Sequence, residues 1–483
     1  MLFNSIEFVV FLLLVFPTYW FLFQKNLKLQ NLLIVIASYV FYGWWDYRFL
    51  ALIIFSTVLD FLIGVLLTND IKEKKKKFLL WTSLLVNLGF LGVFKYYNFF
   101  MENLIAAFAG LGITLHETSL QIILPVGISF YTFQTLSYTI DVYKRKLEPT
   151  KDLIAFAAFV SFFPQLVAGP IERASNLLPQ FYKKRIFNYQ HAVDGMRQIL
   201  WGLFKKIVIA DNCAVFANEV FGNHEHMSGS SLLLGAIFFT FQIYGDFSGY
   251  SDIAIGTSRL FGFDLKQNFA FPYFSRDIAE FWRRWHISLS TWFRDYLYIP
   301  LGGSRGGTWM KIRNTFIIFL VSGFWHGANW TFIVWGGLNA LYFLPIMLSN
   351  NNRKNLDVVA QGKLAPNIRE TMQITLTFSL TVFAWIFFRS ASVKQAITYI
   401  KGIFDNTLFQ VPTFDLSRFY ALQVIVLILI FIIIEWFGRD NKYAIEKIGF
   451  TWGKYYRRGF YFFLVFVITL YLGSDQTFIY FQF

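Results

Sequence analysis

Apolar residues fall in blocks long enough to cross a bilayer, each needing about 20 residues if helical, with short polar punctuation between them. Three such blocks open the chain, Ile6–Phe23, Leu29–Trp45 and Phe49–Leu67, and the dense basic run Lys72–Lys77 follows them. Phe78–Phe94 predicts a fourth span, and Tyr96–Gly110 a helical piece near the membrane surface. Leu120–Tyr143 then leads back to the basic triplet Lys144–Lys146. Lysines and arginines accumulate in cytoplasmic loops, so these spans agree on one orientation, with the N-terminus outside. Ile6–Phe23 ends in bulky Trp20 and Phe21 with no small-residue cleavage site, which favours a retained first span over a cleaved leader.

The middle of the chain behaves differently. Leu153–Ala168 is apolar but broken by Pro164 and followed by Gly169-Pro170, with basic residues on both sides, which predicts a segment that enters and returns. From His191 to Arg313 charges interleave with aromatics, and one clean block, Ser231–Tyr244, runs on into the polar Gly245–Asp252. Clear blocks resume at Phe316–Phe324, Thr331–Leu348, Gln373–Phe388, Leu422–Phe437 and Phe460–Leu472. The pattern predicts an all-α polytopic membrane protein with about eleven transmembrane or re-entrant helices. It reads as a single domain over residues 1–483, with N-terminal spans to 150, a re-entrant core over 151–345 and C-terminal spans over 346–483.

Composition agrees with that reading and removes others. Of 483 residues 56% are hydrophobic, 21% aromatic and only 15% charged, which excludes a disordered chain and an ordinary soluble domain. The net charge of +14 is first a matter of membrane orientation, so no nucleic-acid partner is expected. The single cysteine, Cys213, excludes an internal disulfide and a cysteine metal cluster, and no zinc-ligand spacing is present.

Against so few polar residues, two histidine segments stand out. In Phe281–Tyr296, a helical repeat puts Trp282, His286, Leu289, Phe293 and Leu297 on one face, and Arg284, Ser288, Thr291 and Asp295 on the other. A packed histidine on an interfacial helix and a functional one are both open there. In Phe324–Trp330, His326 lies between two apolar runs beside Gly327. A neutral imidazole in such a place suits a general base, and a helix-to-helix hydrogen bond is the alternative. His116 and His191 are solitary, and His224 and His226 lack further metal ligands nearby. Asp60 and Asp141, at membrane depth, keep open a transporter or flippase without acyl transfer.

Several motifs together resemble the membrane-bound O-acyltransferase family, most of all its bacterial alginate O-acetyltransferase-like branch. They are Gln267-Asn268-Phe269 with Pro272-Tyr273, Phe281–Ser290, Arg294–Gly303 and Trp325-His326-Gly327. Pro125–Asp141, Phe163–Gln165, Gly169–Arg173 and the two chain ends, 1–5 and 478–483, fit as well. The resemblance implies helices arranged around a central funnel or tunnel, with His326 as the essential catalytic histidine and His286 as the second. Asn268, Trp325, Arg283 and Ser290 are the supporting positions it points to. It implies no metal, and an acyl donor of the acetyl-CoA or other acyl-thioester kind. The basic loops Lys144–Lys146, Lys183–Arg185 and Lys205-Lys206 suit its phosphates, although membrane orientation by itself accounts for the same residues.

The acceptor it implies is a polysaccharide, with extracytoplasmic hydrolase-like acetyltransferase partners, surrounding membrane lipids and a bacterial plasma (inner) membrane location. The long stretch beyond His326 looks more like the polysaccharide O-acetyltransferases than the shorter enzymes that transfer D-alanine to teichoic acid, which remain the alternative.

Overall fold

The computed structural model describes residues 1–67, 71–115, 123–167, 169–473 and 478–479. Every regular element among them is helical. Among the described residues six helices are long and apolar enough to cross a membrane: Tyr47–Leu66, Glu73–Gly110, Gly229–Leu260, Trp330–Leu348, Ile368–Arg389 and Arg418–Gly438. Ile6–Leu22, Leu27–Gly43 and Leu153–Leu166 are shorter apolar helices. His116 lies outside the described residues, as does the start of the block Leu120–Tyr143.

The side chains of Arg418–Gly438 show why water is not the solvent. Ala421, Val424, Ile428, Phe431, Glu435 and Gly438 are buried at helical spacing. The opposite face exposes Phe419, Leu422, Val426, Leu429, Ile433 and Phe437, all apolar. A helix apolar over nearly all its surface, with one face covered by protein, matches lipid on the other. The chain is a multi-pass membrane protein.

It divides into two compact units, residues 1–192 with 257–265, and residues 193–256 with 266–483. In the first unit the intramembrane carboxylate of Asp60 accepts hydrogen bonds from Ser83 Oγ at 2.5 Å, Asn87 Nδ2 at 2.9 Å and Thr139 Oγ1 at 3.1 Å. These neutral donors come from two other helices, so Asp60 ties three together. Arg185 is buried and donates to Asn31 Oδ1 at 2.7 Å, which removes it from the basic loop predicted at Lys183–Arg185. His191 pairs through Nε2 with Asp264 at 3.2 Å.

The second unit is built on close helix contacts. In the Gly229–Leu260 helix, a side chain at Gly249 would meet Gly202 O at 2.8 Å, and one at Gly245 would meet Lys205 O at 2.9 Å. Small residues four apart let backbones approach, as in membrane helix pairs. The helix continues well past the block Ser231–Tyr244 read from sequence because its acids find cations. Lys206 Nζ lies 2.9 Å from Asp246 and 2.7 Å from Asp211, and Lys205 Nζ lies 2.6 Å from Asp252. Lys205 and Lys206 are therefore buried and paired within a helical segment, not the basic loop expected of them.

Gly307–His326 and Trp330–Leu348 form an antiparallel hairpin of the same unit, longer at its first helix than the block Phe316–Phe324. A β-carbon on Gly323 would sit 2.2 Å from Phe332 O, whereas one on Gly337 meets nothing nearer than a Leu320 methyl at 3.9 Å. Gly323→Ala is expected to cost about 1–3 kcal/mol by forcing the backbones apart. Thermal unfolding in detergent should show that loss for Gly323→Ala and little change for Gly337→Ala.

Candidate active site

Phe281–Tyr296 is not the continuous amphipathic helix that its periodicity predicts. One helix ends at Arg284 and the next starts at Ile287, and each has seven residues. Between them Trp285 is extended, and His286 takes the left-handed conformation with φ 44° and ψ 54°. A non-glycine residue rarely holds that conformation unless its surroundings impose it.

The surroundings are the strand-like segment around Asn268. Ile287 N donates to Asn268 O at 2.9 Å, and Ala270 N donates to Arg284 O at 2.9 Å, so the two stretches pair across the break. The Asn268 side chain completes the clamp. Its Oδ1 lies 3.2 Å from His286 Nδ1 and accepts from Ser288 N at 3.2 Å and Ser288 Oγ at 2.8 Å. Its Nδ2 donates to Ser251 Oγ at 3.1 Å. Asn268 is fully buried and His286 nearly so.

His326 arrives from the hairpin as the last residue of its first helix. Gly327 follows it because any β-carbon there would strike the Phe332 ring at 2.1 Å. Asn329 then starts the second helix, its side chain accepting from Thr331 N at 3.0 Å. The hairpin turn brings the two histidines together, with ring centroids 6.5 Å apart.

Aromatic rings enclose both. Phe247 packs edge-on to His286 at 4.6 Å, and Trp325 lies 6.1 Å from it. Trp335 and Phe388 pack edge-on to His326 at 5.2 and 5.3 Å. Burial among them pulls the His286 imidazole down to about 3, which keeps it neutral at physiological pH.

The other predicted positions separate. Trp325 is part of the cage, and Ser290 Oγ reaches the carbonyl of Trp285 at 3.5 Å. Arg283 points away, donating to the carbonyls of Asn352 and Asn355 at 2.7 Å each, and so fastens the 349–367 connection. Arg276 supports the same connection through Glu280 and Asp357. Phe247, Ser251, Trp335 and Phe388 do not stand out as site residues in the sequence, since they come from three separate helices, Phe247 and Ser251 from one of them. His224 and His226 form a short turn, and no group of three or more potential metal ligands occurs among the described residues.

A cavity of about 490 Å³ lies in the same unit, toward the other end of the hairpin. Tyr298, Ser304, Lys311, Asn350, Asn352 and Arg353 give it polar walls. Phe319 is part of its apolar lining, and an aromatic column runs from there through Trp282 (5.3 Å) and Trp335 (5.6 Å) to His326.

Comparison with known proteins places the chain in a family. The model of the membrane-bound O-acyltransferase family matches residues 147–383. A protein named "Probable alginate O-acetylase AlgI" from Pseudomonas aeruginosa is 39% identical over 436 residues, 90% of this chain and 81% of that protein. The peptidoglycan O-acetyltransferase of Helicobacter pylori is 36% identical over 432 residues, 83% of this chain and 80% of that protein. The teichoic acid D-alanyltransferase of Bacillus subtilis is more distant, 28% identical over 285 residues, 54% of this chain and 68% of that protein. With helices that span a membrane, these matches establish that the chain belongs to the membrane-bound O-acyltransferase family and is an O-acyltransferase.

Proposed function

We propose that this enzyme moves an acetyl group from an acyl thioester, acetyl-CoA, to hydroxyls of a cell-surface or secreted polysaccharide of the alginate kind. The observation that carries the proposal is the meeting of His286 and His326 inside one aromatic cage. His326 takes the proton of the attacking hydroxyl as its oxygen adds to the thioester carbonyl. The thiolate then leaves and receives that proton, so the products are an ester and a free thiol. His286, held neutral, acts beside it by hydrogen bonding and not as a second cation. Trp325 shapes the cage and keeps out water that would hydrolyse the donor. Ser290 and Arg283 hold up the segments around the break, and Asn268 orients His286.

The donor's phosphates fit the cavity at Lys311 and Arg353. Both are cations, and among the described residues neither has a carboxylate within ion-pair distance. Lys311 and His326 share one helix, whose 1.5 Å rise per residue sets them about 22 Å apart along the axis. A phosphate held at Lys311 therefore needs a long, unbranched arm to deliver an acyl group to His326, which favours a phosphopantetheine thioester.

In this proposal the whole chain, residues 1–483, is one catalytic domain. It has about eleven transmembrane or re-entrant helices around a funnel, in the plasma membrane of a bacterium. Acetyl groups pass to the polymer directly or through extracytoplasmic hydrolase-like partners. Acetyl transfer is favoured over D-alanyl transfer because the two acetyl-transferring relatives match over much more of the chain than the D-alanyltransferase does.

The test is transfer of labelled acetyl from acetyl-CoA by the protein in nanodiscs. Labelled polymer or labelled partner is the expected result, and labelling unchanged in the absence of the protein overturns the proposal. For the double variant Lys311→Ala with Arg353→Ala, the Michaelis constant for acetyl-CoA should rise about 10-fold or more with kcat little changed, as expected for lost charge-assisted contacts of about 1.5–3 kcal/mol.

A further inference from the structure

The two ring nitrogens of His286 are chemically distinct, and the atoms around Asn268 decide between them. Asn268 Oδ1 receives the backbone N–H of Ser288, which can only donate. That contact fixes the amide orientation, with oxygen toward His286, and the donation from Nδ2 to Ser251 Oγ agrees with it. Ser288 Oγ points its proton at the same oxygen. An imidazole nitrogen 3.2 Å from a carbonyl oxygen must carry a hydrogen to bond with it.

We propose that Asn268 is a positioning residue that locks His286 in the tautomer protonated at Nδ1, leaving the lone pair on Nε2. The left-handed backbone of His286 and its pairing with the Asn268 main chain turn the ring to this geometry, so tautomer and direction are set together. His286 then serves the reaction as a hydrogen-bond acceptor at Nε2, for the hydroxyl of the acceptor sugar as it approaches His326. This role rests on the acyl-transfer function proposed above, whereas the tautomer does not. The low proton affinity that burial gives His286 is consistent with a ring that accepts while neutral.

The experiment is ¹⁵N NMR of the full-length enzyme in nanodiscs, labelled on histidine, with the His286 signals assigned by difference against His286→Gln. The expected spectrum is that of a neutral ring protonated at Nδ1. A ring protonated at Nε2, or a charged ring near neutral pH, overturns the proposal whether or not the protein transfers acetyl groups.

Asn268→Asp and Asn268→Leu provide the second measurement. Aspartate still accepts from Nδ1–H, so the signature should persist and much of kcat be retained. Leucine removes the acceptor, so the signature should be lost and kcat should fall about 10- to 100-fold, the range for a residue that orients a functional histidine, with little change in the Michaelis constant for acetyl-CoA. Equal kcat losses in both variants with an unchanged wild-type-like spectrum would assign Asn268 to folding alone and reject the positioning role. If Asn268→Leu does not fold, the wild-type spectrum and the aspartate variant decide the question.

Discussion

Replacing His326 with glutamine or alanine is expected to lower acyl transfer by about 10²- to 10⁴-fold, the usual contribution of a general base. Glutamine is the sharper probe because it roughly fills the volume of the ring among Trp325, Trp335 and Phe388. Lost activity with an unchanged unfolding temperature then reports chemistry. Alanine leaves a hole in an aromatic wall, so part of its effect is packing. Donor binding should survive both changes, since Lys311 and Arg353 lie at the other end of the helix hairpin. A glutamine variant that acetylates polymer at near wild-type rate would remove His326 from the reaction.

The second large effect is on stability. Lys206 is almost wholly buried and holds both Asp211 and Asp246 within ion-pair distance. Lys206→Met strands two acids without that cation, and breaking a buried pair in this way costs about 3–5 kcal/mol. The protein is expected to express poorly and to unfold at much lower temperature in nanodiscs, followed by tryptophan fluorescence. Adding Asp211→Asn and Asp246→Asn should recover most of the loss, because the penalty lies in uncompensated charge. Ile479 N donates to Asp246 Oδ2 at 2.7 Å, and the amide oxygen that Asp246→Asn introduces can still accept that bond, which preserves the docking of the segment. A single variant as stable as wild type would show that the ion pairs do not hold these helices.

Much of this is legible in the sequence, and the failures have physical causes. Apolar blocks mark the membrane helices, because lipid demands length and composition and little else. Glu73–Gly110 and Gly229–Leu260 run longer than the blocks read for them. In Gly229–Leu260 the cause is plain: charges that seem to end a span are neutralised by Lys205 and Lys206 on a neighbouring helix. The break at His286 is equally hidden. The helical repeat continues through Trp285 and His286, and only the pairing partner at Asn268, well back along the chain, shows why the backbone leaves the helix there. Both histidines stand out in the sequence motifs, as does Asn268. Arg283 belongs to the same motif yet faces the 349–367 connection, since adjacent residues on a helix point in different directions.

The clamp on His286 also has a consequence for the order in which the chain assembles. Asn268 and His286 are 18 residues apart, so their contact closes a short loop at little entropic cost. On a chain emerging from the ribosome, all of that loop and its Ser251 anchor precede the helix hairpin that carries His326. Trp325, which packs on His286, and Trp335 and Phe388, which pack on His326, are synthesised later, so the cage closes only after they dock. The holder is local and the enclosure is not. A nascent chain that stops before the hairpin carries a correctly oriented but hydrated imidazole, and the site becomes dry only when the second half of the protein arrives.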